Sequence, residues 1–511
     1  MARTAAGHGK TTEKGTGAML SGLLEVAATD PKMRGLVANV GDPTLHVTGI
    51  DQARSWALGA LARKTPLLVV TATGREAEDL TAELRAMLGE TVALFPSWET
   101  LPHERLSPGA DIVGRRAAVL DHLQDTQVVV TPARGFCQPV LKTAAGREGL
   151  VLAEGEEHDF SALTEQLVFR AYEHVDMVAR RGQFAVRGGI LDVFPTTANY
   201  PVRVEFWGDE VSEIRQFSVA DQRTISEIEV GRVEIYPARE LLITDEVAAR
   251  AEKLAVEHPG NPTLTELLTR VSERTYADGM EAILPALTDT PLVPLTDLLP
   301  EGTHVMLVNP EKIRTRIHDL ETTDNEFLAA GWEAAAMGAA GPVAAEGVDT
   351  SAASYLDVET LEDAARDRGL PWWTFAPPGM FVAGEEVTLP LEFEAGPAPR
   401  GDLGEIDQMM GRLHEHTRHG GRAAFVTPTR GLVKRMAERF SEKGIPNRVA
   451  EPGAVPEPGE IVIYQALSHA GLVFPAVADA GVGKHTHPLV VVTETDLTGN
   501  RAGATVSTRS R

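Results

Sequence analysis

The 511-residue chain is predicted to be an α/β protein. It has a discontinuous parallel-sheet domain interrupted by an antiparallel-rich α+β insert, followed by a further small α/β domain. Three observations predict this. Short apolar runs alternate with helical stretches over residues 17–145, the rhythm of a parallel sheet with helices on its faces. Over 146–237 the pattern changes to alternating apolar and polar positions punctuated by glycine, as in strands with one buried face. From about Ala238 helical periodicity returns, and a new strand–helix alternation begins beyond Pro390.

In the first block, strands are expected at 67–71, 91–94 and 127–131, with helices at 52–63, 75–88 and 112–123. Residues 95–108 carry Pro96, Pro102 and Pro108, so they extend neither helix nor sheet and read as a packed surface loop. In the insert, one helical segment lies near 161–172, and Gly182, Gly188, Gly189 and Gly208 mark turns. Thr244 followed by Asp245 and Glu246 reads as an N-cap with acids in the first helical turn. A strand at 305–309 and a helix at 310–328 are expected to pack back on the first block. The domain is then 20–145 plus 238–385, with the insert at 146–237. Residues 334–352 read as a linker. The third unit, 386–498, should have strands at 423–427, 460–464 and 488–493. Its clearest helix is 430–443, ended by Gly444. Residues 1–19 and 499–511 are expected to be disordered tails.

Composition narrows the function classes. An apolar content of 43% with 24% charged residues is that of a soluble globular chain too long for one core. The single cysteine, Cys137, excludes an internal disulfide and fits the cytoplasm. There is no signal-peptide pattern, and no apolar run of the roughly 18 residues needed to span a membrane. A formal net charge of −25 argues against a chain whose main task is gripping nucleic acid, because phosphate neutralisation needs cations. No metal site is expected: His485 and His487 lack a third ligand at convincing spacing. Gly7–Thr12 imitates half of a phosphate loop, without a preceding strand. Leu241–Glu246 imitates an acidic ATPase box but reads as the capped helix start.

The most informative stretch is 184–215. Apolar and polar positions alternate, yet Arg187, Arg203 and Glu205 sit inside the strands. Charges fixed on a stiff sheet suggest a surface built to meet a charged partner, and the period of two puts Arg203 and Glu205 on one face. The alternative is that these two charges pair with each other.

This stretch resembles the inserted domain shared by the bacterial transcription-repair-coupling factors and the excision-repair protein UvrB, which docks onto UvrA in both. The Phe-x-Val-Arg-Gly strand and the Arg-x-Glu pair carry the likeness, as does the Trp-Glu-Thr-Leu-Pro run at 98–102. The resemblance implies UvrA-facing roles for Arg187, Arg203 and Glu205, with Phe184 and Arg181 beside them. Two departures from the pattern are Ala185, an arginine in UvrB, and Glu173, often basic in the coupling factors.

Where UvrB carries a working phosphate loop, this chain reads His46, Gly49, Asp51, Gln52 and Ala53. The first glycine is His46, the second is Asp51, the lysine is Gln52 and the metal-binding hydroxyl is Ala53. A degenerate, helicase-like domain is therefore expected, with no cofactor and no enzymatic activity in this chain.

The resemblance, over about residues 20–498, points to the N-terminal portion of a coupling factor. RNA-polymerase contact, duplex-DNA translocation and ATP with magnesium would belong to a part beyond it. In the family that motor part also masks the insert. The implied function is recruitment of UvrA to stalled polymerase, against two alternatives: a UvrB-like ATP-dependent damage-loading helicase, or a DNA-binding scaffold.

Overall fold

The computed structural model describes residues 17–258, 261–337, 348, 350–379, 388–399, 401, 403–478 and 486–498. Residues 1–16 of the expected 1–19 tail, the expected tail at 499–511, the Gly7–Thr12 stretch, His485 and most of the 334–352 linker lie outside them.

The main sheet has seven strands, all parallel. In spatial order they are Thr388–Leu391, Thr44–Gly49, Trp372–Ala376, His304–Val308, Leu67–Thr71, Val128–Pro132 and Val92–Leu94. The middle strands are buried along their whole length because helices cover both faces. Leu67 and Val69 point into one core and Leu68 and Val70 into the other. The first core takes helices Ser21–Ala27, Asp51–Ala62 and Gly74–Leu88. The second takes Ala110–Asp121, Asp245–Glu257, Pro262–Ser272 and the 27-residue helix Pro310–Ala336. Helix starts follow the sequence chemistry: Thr73 and Glu76 form a reciprocal capping box, and Thr244 accepts from the Val247 amide at 3.3 Å.

Strand Thr388–Leu391 belongs to this sheet, so the third unit's own sheet starts only at Glu394. Pro390 is tolerated because the strand is an edge, where its missing N–H interrupts no ladder. The third sheet runs Glu394–Ala395, Leu472–Ala478, Thr486–Thr493, Arg422–Thr427, Ile461–Gln465 and Arg448–Val449. One of its faces is continuous with the main domain's core, where Trp56 meets Phe474 edge-on at 5.4 Å. The expected helix there spans Arg430–Glu442, and Gly444 follows at φ +67°.

The insert is a six-stranded sheet in the order Thr224–Glu229, Glu210–Phe217, Val202–Trp207, Ile190–Val193, Gln183–Arg187 and Glu173–His174. All pairs are antiparallel except the last. Helix Phe160–Phe169 covers one face. Chain entry and exit are tied together by the antiparallel pair Leu150–Ala153 and Arg232–Ile235.

The insert is clamped to the main domain. Tyr276 of the main domain donates its hydroxyl to the Phe169 carbonyl at 2.7 Å, and Tyr236 donates to the Asp121 carboxylate at 3.1 Å. Helix Ala110–Asp121 presses on Thr196 through Gly114, where an added Cβ would lie 2.0 Å from the threonine hydroxyl. Gly114→Ala is therefore expected to cost about 1–3 kcal/mol of overpacking. It should lower the urea midpoint without changing the slope.

Candidate partner-docking face

Side chains of the insert sheet alternate between two faces. Phe184, Val186, Leu191, Val193, Val202, Val204 and Ile214 point toward helix Phe160–Phe169 and make the insert's core. Ala185, Arg187, Asp192, Arg203, Glu205, Glu213 and Arg215 occupy the other face. Register sets them in rows. Arg187, Ile190, Glu205 and Glu213 lie side by side across four strands, and Ala185, Asp192, Arg203 and Arg215 form the next row.

The predicted residues separate on this frame. Arg187 is exposed, donates only to the Asp176 carbonyl, and has no ion-pair partner among the described residues. The Glu205 carboxylate, half-buried, is likewise without a hydrogen bond or ion pair among them. Arg203 is different. Both its guanidinium edges grip Asp192, at 2.7 and 2.8 Å, and the group lies 5.0 Å over the Phe217 ring. The hydrogen bonds to Asp192 hold its pKa above the usual value. Arg203 thus pairs neither with Glu205 nor freely with solvent; it neutralises a buried carboxylate.

Phe184 is a correction. It is 1% exposed, stacked with His174, and lies on the insert's core side, away from the face that carries Arg187. It stands three residues from Arg187, and an odd separation puts two strand residues on opposite faces. Arg181 is half-buried: it donates to the Ala198 carbonyl at 2.8 Å and lies 5.2 Å over Phe194, so it shapes the edge of the face. Glu173 accepts from Gln183 at 2.9 Å and Arg180 at 3.0 Å, which lower its pKa in that order.

The residues of the expected degenerate nucleotide position fall at the end of a strand and the start of a helix. His46 lies within strand Thr44–Gly49, buried against Thr374 at 3.0 Å, and desolvation, then Arg314, lowers its pKa. Only Ile50 separates this strand from helix Asp51–Ala62. A phosphate loop needs several residues of backbone curling around the anion, and one residue cannot supply that nest. Asp51 already places a carboxylate in the first helical turn, and Ala53 is buried. The cleft beside it, about 550 Å³, is lined by Glu76, Asp79, Glu83 and Asp496 as well. That balance repels a triphosphate, although Arg54 and Lys312 also line it. Among the described residues no group of three or more His, Cys, Asp or Glu side chains could hold a metal ion. None of the helices among them is long and apolar enough to cross a membrane.

Residues 150–241 match the family described as the UvrB interaction domain, which coincides with the insert seen in the fold. A transcription-repair-coupling factor of Mycobacterium tuberculosis is 44% identical over 502 residues, covering 95% of this chain and 40% of the relative. The factor of Myxococcus xanthus is 34% identical over 49% of this chain, and that of Escherichia coli 31% over 52%, each alignment covering 22% of the relative. The chain thus spans about two fifths of the length of the first of these curated relatives. By sequence along almost its whole length, and by the domain set into its fold, the chain is a relative of the transcription-repair-coupling factors that carries a UvrB interaction domain.

Proposed function

We propose that the polar face of the insert docks UvrA. The chain then serves as the recruiting module that links removal of RNA polymerase stalled at DNA damage to nucleotide excision repair. The observation that carries this reading is Arg187, an exposed guanidinium without an ion-pair partner among the described residues, on a sheet that matches the UvrB interaction domain. A guanidinium left in water costs nothing in the free protein and can fork onto a partner carboxylate. The contacts that hold the insert on the main domain favour docking without reorganisation.

We also infer that this chain does not turn over nucleotide. The single-residue strand–helix connection and the acidic cleft support this. ATP, magnesium, duplex DNA and RNA polymerase are assigned to the remainder of the longer relatives. Two assays test the pair of proposals. Immobilised chain should retain UvrA from solution, and the chain alone should show no ATP turnover above background. ATP turnover abolished by Gln52→Ala would favour the helicase reading instead.

A further inference from the structure

Trp207 is the most conspicuous side chain on the insert that the reading above leaves without a task. It is 82% exposed, at the end of strand Val202–Trp207, two residues beyond Glu205 and on the same face. Its neighbour Phe206 points the other way and packs edge-on to Phe160 at 5.0 Å. The tight turn after it, with Gly208 at φ +64°, fixes the hairpin tip. The tip is strapped to the 154–158 segment: the His158 amide donates to the Asp209 carbonyl at 2.8 Å, and the Val211 amide to the Glu156 carbonyl at 2.9 Å. The indole therefore stands on a braced support.

The charge around it has one sign. Asp209 and Glu210 are exposed beside it, and Glu156 and Glu157 flank the tip from the neighbouring segment. Glu205 stands directly across from Glu213, and like charges in that position destabilise a sheet. Of the cations on the same face, Arg203 is held by Asp192 and Arg215 by Glu213.

We propose that Trp207 is the anchor of the docking face, and that UvrA meets it with an arginine side chain. The guanidinium would lie on the indole and reach the surrounding carboxylates, Glu205 first. This rests on the UvrA reading above. Stacking on an indole and forking onto a carboxylate are both preferred geometries of a guanidinium, and an aromatic ringed by carboxylates offers both. Arg187 and Glu205 lie two strands apart in one row, about 10 Å. The partner surface would then carry an acid and a base at that spacing.

The test is the affinity of UvrA for the wild-type chain and for two variants. Trp207→Ala should weaken binding about thirtyfold, with an unchanged urea midpoint because the side chain supports nothing. The triple variant Glu205→Gln, Asp209→Asn, Glu210→Gln should weaken it too and flatten its salt dependence. Wild-type affinity in Trp207→Ala overturns the anchor while leaving the UvrA reading intact. Loss in Trp207→Ala with no effect of the triple variant overturns the arginine. No binding by the wild-type chain sinks the UvrA reading and this inference together.

Discussion

Arg116→Ala is expected to destabilise the chain by about 3–5 kcal/mol, the cost of leaving one half of a buried ion pair uncompensated. Arg116 is 1% exposed, within helix Ala110–Asp121. Its guanidinium lies 4.3 Å from the Phe95 ring and 5.4 Å from the Trp98 ring, donates to the Pro96 carbonyl at 3.1 Å, and faces Glu240 at 3.4 Å. Burial pulls its pKa down and Glu240 pulls it back. Glu240 in turn accepts the Leu141 amide and lies just beyond the exit from the insert. One side chain therefore joins the proline-rich loop, the helical layer of the second core and the root of the insert. The paired change Arg116→Met with Glu240→Gln should recover most of the loss, since it removes both charges and keeps an acceptor for Leu141. Urea unfolding of the wild type and the two variants checks this; equal destabilisation by the single and double changes would contradict it.

Arg203→Ala is expected to cost about 2–4 kcal/mol, somewhat less because the guanidinium is partly exposed. Asp192 is 3% exposed and would be left with no cation. Arg187→Ala, which strands no buried group, should change stability by less than about 0.5 kcal/mol. The contrast matters for any mapping of the face. Lost UvrA binding in Arg203→Ala would report a damaged sheet as much as a lost contact, whereas Arg187 reports the contact alone. Arg203→Ala combined with Asp192→Ala should be closer to wild-type stability than Arg203→Ala alone.

Much of the scaffold could be read from the residues. Runs such as Leu67–Thr71 and Val128–Pro132 are apolar on both faces, as a parallel sheet between two helical layers demands. The caps at Thr244 and Gly444 announced helix boundaries. Several strands were not legible, among them Thr44–Gly49, Trp372–Ala376, Thr388–Leu391 and Leu472–Ala478. Trp372–Ala376 is rich in aromatics and lies far in sequence from its partners, and Thr388–Leu391 carries a proline that reads as a break. At the face, alternation placed Arg203 with Glu205 but not with Asp192. That pairing depends on the register between strands joined by 194–201, which spacing alone does not set. Phe184 was legible and misread: the period of two already separates it from Arg187. The departures from a phosphate-loop pattern showed in residue types, while the one-residue connection between strand and helix needed the fold.

The central claim is that the polar face of the insert, with its exposed Arg187, is a docking face for UvrA on an otherwise intact fold. Titration calorimetry of UvrA against the wild-type chain and Arg187→Glu, each with its urea midpoint measured, tests this most directly. Saturable binding by the wild type is predicted. It should weaken at least about tenfold in Arg187→Glu, the order expected when a partner carboxylate meets a like charge, with no change in midpoint. Absence of binding, or equal affinity of the two proteins, would contradict the account.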